Sequence, residues 1–580
     1  MRKLIALALA LCLIPAAGLA AVDDRATLES LQKKINELSM ELEEMSGRVD
    51  KNERHTAMDR ISWYGDLRVK ADTLHYKDVT ASQGVFFDFA DFGQRAMTGE
   101  FGALDPATGM PTDPTSAIAQ FMAAYPDQAM RWATGGYASQ DYFVIATPKK
   151  SDINNDILYT TRLRLGMKAE VAKNVNFSGR LLMYKNWGDS TGVKVFDSWN
   201  SFTMDGTNSG NTTGDWLRVE RAYFDWKDIA GSNFYLSIGR RPSTYGPPTQ
   251  YRENELRGGT PSGHLVNFNF DGITVGYKLS AHTGIEGQTV RFCYGQGFES
   301  EWGNGELFNE INTKDVHLGG FNVDALNDGT NLLQFTLFQA MDVTDGFKGV
   351  IAFPGQFAQQ MAPTMWTDLQ NFSNFNFVTR VQPSTNIGDI TLGGIGFSRE
   401  EMNGVNWFVS GGWTQADPNG KAGLFGGLLS DPVYRTALVP NGSGGQMIVP
   451  AATTDASSSK TRDGYSAYVG IQIPAPMGKL GLEYNYGSKY WTPFTQAQDD
   501  AIGGKLATRG QAGEAYYIFD VNPNMFIKIG GIYYDYKYTG SGSPVGAPVK
   551  IEDVQSGKAA SMLPAIDTAW DGYASLTVKF

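Results

Sequence analysis

From Trp63 to the C-terminus the chain alternates apolar and polar residues with a period of two. Leu67, Val69 and Ala71 alternate with Arg68, Lys70 and Asp72. Leu163, Leu165, Met167, Ala169 and Val171 alternate with Arg162, Arg164, Lys168 and Glu170. After an Ala172-Lys173-Asn174 turn, Phe177, Leu181 and Met183 alternate with Asn176, Ser178 and Arg180, and Phe234, Leu236 and Ile238 with Tyr235, Ser237 and Arg241. Successive side chains of a strand point to opposite faces, so each run predicts a strand with one apolar and one polar side. A half-buried sheet of a soluble protein gives the same alternation. Length and connection pattern decide between them: runs of about ten residues joined alternately by very short and very long segments are the signature of a transmembrane barrel.

Short turns are expected at Asp228 to Ser232, Asp271-Gly272, Asn327-Asp328-Gly329, Asn386 to Asp389, Pro474 to Gly478 and Val521 to Asn524. Long polar connections are expected near 75–156, 186–215, 242–262, 342–374, 415–463 and 537–570. The apolar runs Val85 to Phe92 and Ile118 to Tyr125 predict that the first of these folds and narrows the lumen. The tally is about 16 to 18 strands, and its alternation of short and long connections fails between 280 and 315, around Val290 and Val316. The final run ends on Phe580, with Leu576 and Val578 on its apolar side. It resembles the C-terminal signal of outer-membrane proteins that the barrel-assembly machinery reads.

Ahead of Trp63 the period changes. Leu28, Leu31, Ile35, Leu38, Leu42, Met45 and Val49 are spaced alternately three and four apart, an a/d stripe over three heptads, with Asn52 at the next d position. This predicts a coiled coil that either self-associates, to a trimer by analogy with porins, or packs elsewhere. Further upstream, Arg2 and Lys3 precede an apolar stretch from Leu4 to Ile14, and Gly18 and Ala20 suit cleavage before Ala21, which reads as a signal peptide. Cys12 lies within that apolar stretch and argues against a lipoprotein. The expected layout is a signal peptide over 1–20, a periplasmic coiled-coil segment over 21–58, and an outer-membrane barrel over 59–580.

Composition strengthens the barrel. The 580 residues include 67 Gly, 26 Tyr, 33 Phe and 12 Trp with 19% charged, and no sequence repeat points to a solenoid or propeller. No stretch after residue 20 has the apolar length of a membrane helix. Removing Arg2 and Lys3 leaves 47 basic against 61 acidic residues, a net of −14. The mature chain keeps Cys293 alone, so no intramolecular disulfide forms, and a buried or lipid-facing position is expected for it.

The polar face of the early strands is basic: Arg68, Lys70, Arg162, Arg164, Lys168, Arg180 and Arg241 should point into the lumen. They form either a ladder that lowers the barrier for anions or braces paired with acids such as Asp72, Glu170 and Glu220. No active site stands out. The five histidines, His55, His75, His264, His282 and His317, lack ligand spacing. There is no haem signature, and the Gly442 to Gly445 string precedes no helix start. Asp499-Asp500, and Asp88 with Asp91, are weak calcium candidates.

Five segments carry a family resemblance: GDLRVKAD in the first strand, IGRRPSTYGPPTQYREN from Ile238, YGQGFESEWG from Tyr294, LEYNYGSKYW from Leu482 and KLATRGQAGEAYY from Lys505. Together with the coiled coil, they make the chain similar to a family of large, uncharacterised, porin-like outer-membrane proteins of proteobacteria. The resemblance implies an outer-membrane barrel and no substrate. The expectation is an all-β transmembrane antiparallel barrel preceded by a short α-helical coiled coil, not an enzyme and without cofactors. It would pass small hydrophilic solutes or ions, leaning toward anions, with lipid, lipopolysaccharide and the assembly machinery as partners and no nucleic acid. The alternatives are a barrel sheathing a partner such as a multihaem cytochrome, and a surface interaction protein with a plugged lumen.

Overall fold

The computed structural model describes residues 30, 32–45, 60–80, 137–138, 150–188, 214–243, 251, 253–255, 261–300, 313–345, 349–353, 377–381, 385–423, 426–430, 432–440, 446–454, 459–495, 499–559, 561 and 565–580. The chain divides into two compact units, Met1–Ser62 and Trp63–Phe580. In the first, residues 32–45 are helical. The a/d residues Ile35, Leu38, Leu42 and Met45 are each about 60% exposed. Leu28, Leu31, Val49, Asn52 and the signal sequence lie outside the described residues.

In the second unit, sixteen of the described strands close into an antiparallel barrel. In chain order they are β1 (Ile61–Thr80), β2 (Lys150–Ala172), β3 (Val175–Asn186), β4 (Gly214–Trp226), β5 (Phe234–Pro242), β6 (Asn269–Lys278), β7 (Thr289–Phe298) and β8 (Val316–Asn327). They continue with β9 (Asn331–Thr344), β10 (Asn386–Arg399), β11 (Asn406–Pro418), β12 (Arg462–Ala475), β13 (Gly478–Gly487), β14 (Gly510–Asn522), β15 (Met525–Tyr536) and β16 (Thr568–Lys579). Each pairs with its chain neighbour, and β16 closes on β1 in the register Leu67↔Val578, Val69↔Leu576. Short and long connections alternate without exception, and every short one lies at the end where β1 starts and the chain finishes.

Outward positions such as Leu165, Phe224, Phe292, Phe321, Phe335, Ile395, Val409, Leu482 and Leu576 are exposed and apolar. Their inward neighbours are buried and largely polar. Such an inside-out distribution suits lipid outside and a polar interior. Phe580 seals the seam: Gly65 N–H donates to its carbonyl at 2.8 Å, and its own N–H donates back to Gly65 O at 3.0 Å. Its ring lies over Gly65, where a Cβ would come within 2.6 Å of the ring and 2.5 Å of Arg164 O.

Two expected turns are strands. Asp271-Gly272 lies within β6, where Gly272 stands opposite Gly239 of β5 and Gly295 of β7. The Phe270 ring covers Gly272 and Gly295 of this row, and a Cβ on Gly272 would meet Tyr294 O at 2.2 Å. That glycine answers a close approach, which local sequence does not distinguish from a turn. Asn386 to Asp389 begins β10, and the tight turn falls instead at 400–405. The Asn386 side chain donates to the Lys314 and Asp342 carbonyls, fixing the strand's first residue. Correcting both turns restores the alternation between 280 and 315: 279–288 is short, with a one-turn helix at Ser280–Thr283, and 299–315 is long. The first long connection is 81–149, shorter than expected because β1 and β2 run to 20 and 23 residues. Its runs Val85 to Phe92 and Ile118 to Tyr125 lie outside the described residues. Two small sheets stand apart from the barrel, one pairing Gly349–Phe353 with Phe377–Val381, the other joining Pro432–Pro440 to Gln446–Thr454 and Tyr137–Ala138.

Candidate functional site in the barrel bore

The bore is filled by the chain's own connections. Among the described residues, parts of two connections enter it: 251, 253–255 and 261–268, between β5 and β6, and 488–495 with 499–509, between β13 and β14. They pair with each other through a parallel bridge between Val266 and Phe494. Asn267 N–H donates to Phe494 O at 2.6 Å, and Phe494 N–H to Leu265 O at 2.8 Å. Leu265, Val266, Phe268, Trp491 and Phe494 are almost fully buried against inward residues of the wall, among them Phe270, Leu318, Phe338, Ile390 and Leu392. Leu428 and Leu429, from the connection before β12, complete this cluster.

His264, at the end of a 3-10 turn (Pro261–His264), reaches across to the Ser410 and Ser466 hydroxyls at 3.2 and 2.8 Å. Burial pushes its imidazole down to about 3, so it is neutral at ordinary pH. Arg509 is fully buried and donates to the Trp491, Thr539 and Ser543 carbonyls. Lys505 bridges Glu483 and Glu514.

Opposite the apolar cluster lies an ionic one. Arg68 on β1 meets Asp499 at 2.5 Å and Glu253 at 3.4 Å. Arg162 on β2 meets Glu253 at 2.7 Å, Asp499 at 3.0 Å and Asp66 at 3.2 Å. Arg164 meets Asp66 at 2.5 Å and Glu253 at 3.9 Å. The Tyr184 hydroxyl donates to Asp499 at 2.9 Å. Three guanidiniums therefore face three carboxylates, and two of those carboxylates belong to the in-folded segments. Burial alone raises the carboxyl pKa of Glu253 and Asp499. Arg162 and Arg68 outweigh it and hold both below the usual carboxylate range. Beyond Glu253 the same segment crosses the bore: Gln472 donates to Tyr251 O at 2.9 Å, Lys479 to Asn254 at 2.7 Å, and Lys579 pairs with Glu255 at 3.4 Å.

The expected basic ladder is thus inward-facing but mostly neutralised. Lys70 pairs with Asp72 and lies 3.9 Å from Asp571, and Arg180 meets Glu220 at 2.5 Å. Lys168 sits 5.3 Å from the Tyr64 ring centroid. Arg241 forms no ion pair with a described carboxylate; it donates to the Thr274 hydroxyl, stands across the sheet from Phe270 and lies within electrostatic reach of Tyr235. Of the three acids expected as partners, Asp72 pairs with Lys70 and Glu220 with Arg180, while Glu170 is exposed and forms no ion pair among the described residues. Sequence reasoning missed Asp66, Glu253 and Asp499, of which the last two carry no periodic signal. Asp499, a weak calcium candidate, is instead an acceptor for two arginines. Asp88 and Asp91 lie outside the described residues. Cys293 is buried and faces inward, accepting a hydrogen bond from Thr274 Oγ1 at 3.3 Å.

Among the described residues, a cavity of about 300 Å³ lies between the Ser262–Val266 stretch and the wall from β4 to β10. Its lining combines the apolar Val266, Phe270, Leu318 and Phe338 with the polar Arg241, Arg291, Asn322, Asp324 and Gln334, and it reaches the tight turn at Gly329 and Thr330.

A closed, antiparallel, sixteen-stranded barrel with an apolar exterior and a polar bore is the architecture of a porin-like protein. Residues 152–580 match a family described as protein of unknown function (DUF3373), and the chain belongs to that family. No curated protein matches it. Among solved structures, it is similar to Pseudomonas putida OprB at 9% identity, over 91% of this chain and 96% of that one, with a TM-score of 0.38. Outer-membrane-expressed OmpT of Vibrio cholerae shows 12% identity, 90% and 97% coverage and a TM-score of 0.36. Salmonella typhi OmpF in complex with daunomycin shows 9% identity, 90% and 97% coverage and a TM-score of 0.34.

Proposed function

We propose that this chain is an outer-membrane channel for small hydrophilic solutes whose bore is held narrow by its own in-folded segments. The carrying observation is how those segments are fixed to β1 and β2: through exchangeable ion pairs around Arg68, Arg162 and Arg164, rather than by apolar packing on every side. An ionic attachment can be exchanged for water and solute, whereas a dry core cannot. Neutralisation of the arginines by Asp66, Glu253 and Asp499 favours bracing over an open anion ladder while the segments are in place; an anion lean would follow only when they withdraw. A sheath for a cytochrome needs a free bore, and here residues 251, 253–255, 261–268, 491–495 and 499–509 contribute to its filling. Short turns toward the periplasm and long connections outside would put the heptad helix in the periplasm, where its exposed a/d stripe would join copies of the chain.

Release of solutes of graded size from liposomes carrying the purified protein tests this reading. Efflux of ions and small solutes with a sharp size limit supports it. Tight liposomes containing correctly folded barrel would contradict it.

A further inference from the structure

The 300 Å³ cavity holds two features that the ionic latch does not use. The first is Arg241. Its guanidinium donates to Thr274, its Nε is buried with no hydrogen-bond partner, and no described carboxylate reaches it. Its own connection offers no acid between residues 244 and 252 or between 256 and 260. The neighbouring Arg291 is already satisfied by Asp324 at 2.5 Å, Asn322 at 2.9 Å and the Tyr235 hydroxyl at 2.8 Å. The second is an apolar wall of Val266, Phe270, Leu318 and Phe338 lining the same space.

A half-buried guanidinium with no carboxylate partner among the described residues, beside an apolar surface, is complementary to a carboxylate on a compact apolar body. A cavity of about 300 Å³ is at the small end of ligand sites and has room for a single-ring acid. The carboxylates of the lining narrow the class further: Asp324 is held by Arg291, while Asp225 and Glu400 add negative charge that disfavours a polyanion. Asp225 also lines the cavity; it stands opposite Ser237, four residues and about 13 Å along β5 from Arg241. It is nearer the short-turn end and would repel a second negative charge there.

We infer that this cavity binds a small organic monoanion, a carboxylate joined to an apolar body, with Arg241 as its anchor and Thr274 holding the guanidinium in place. The inference deepens the channel reading and rests on it only for the route by which the solute arrives.

Equilibrium dialysis of the purified full-length protein against radiolabelled benzoate, with benzyl alcohol as its uncharged counterpart, tests the site. Wild type should bind benzoate and not benzyl alcohol. Arg241→Gln should weaken binding about tenfold or more, the loss expected for a charge-assisted hydrogen bond. Arg240→Gln, whose guanidinium pairs with Asp271 at 2.6 Å, should leave it unchanged. Should Arg241→Gln fail to fold, Thr274→Val keeps the shape, frees the guanidinium and should weaken benzoate binding several-fold. Equal uptake of the acid and the alcohol, or binding indifferent to both variants, would overturn the site. A protein that conducts without binding benzoate loses the site and keeps the channel; one that binds without conducting keeps the site and loses the channel.

Discussion

Replacing Glu253 and Asp499 together by Gln and Asn is the perturbation that bears most directly on the latch. The wild-type cluster sets Arg68, Arg162 and Arg164 against Asp66, Glu253 and Asp499, a local net charge of zero. The double amide variant leaves three cations facing Asp66 alone, a net of +2. Both in-folded segments lose their ionic hold on β1 and β2, while the apolar cluster around Trp491 and Phe494 is untouched. A hydrogen bond to a charged group contributes about 1.5–3 kcal/mol, so two such losses weaken the hold by roughly 3 kcal/mol at the low end. Each 1.4 kcal/mol is tenfold in an equilibrium, so the open population should rise about a hundredfold. The three uncovered guanidiniums should make the opened path anion-preferring. Single-channel recording reads both quantities, as open probability and as reversal potential in a salt gradient. A folded double variant with wild-type open probability would refute the idea that these ion pairs hold the bore closed.

Other outcomes follow from the same geometry. Arg162→Gln removes the residue that touches all three carboxylates, leaving them under-neutralised, and should cost about 3–5 kcal/mol of stability, read as a lower unfolding midpoint in urea. A loss within 0.5 kcal/mol would show the cluster to be solvated. The carboxyl pKa values of Glu253 and Asp499 lie below their unfolded values, so their contribution is present above the ordinary carboxylate range and disappears only as pH falls through the depressed folded values. Channel closure should therefore be unchanged at about pH 5, and opening there would contradict the assignment. Deleting Phe580 removes two seam hydrogen bonds and the ring over Gly65, and should lower the heat-modifiable, folded fraction on gels. Leu38→Asp with Leu42→Asp should abolish chemical cross-linking between copies and leave the barrel folded; an unchanged cross-linking pattern would place the partner of this stripe elsewhere.

The barrel was legible because it is written in a local period. The facing of Arg68, Arg162 and Arg180 follows from parity alone, and the structure keeps it. Connections were less legible. Asp271-Gly272 reads as a turn because its chemistry is that of a turn, whereas its place within β6 is set by Phe270, Gly239 and Gly295 across the sheet. A narrowed lumen was expected, but which segments fill it was not legible. Glu253 and Asp499 lie 91 and 337 positions from Arg162, in segments without periodicity, so nothing near them announces an ion-pair partner. The basic residues therefore read as an open ladder when considered without the acids that return to them through space.

Single-channel recording of the unmodified protein in planar bilayers, alongside the Glu253→Gln/Asp499→Asn variant, tests the central claim most directly. The wild type should give brief, low-conductance openings and the variant long, larger ones. Electrical silence of both, with the barrel demonstrably folded, would mean that the bore is a permanent plug and the protein is not a channel.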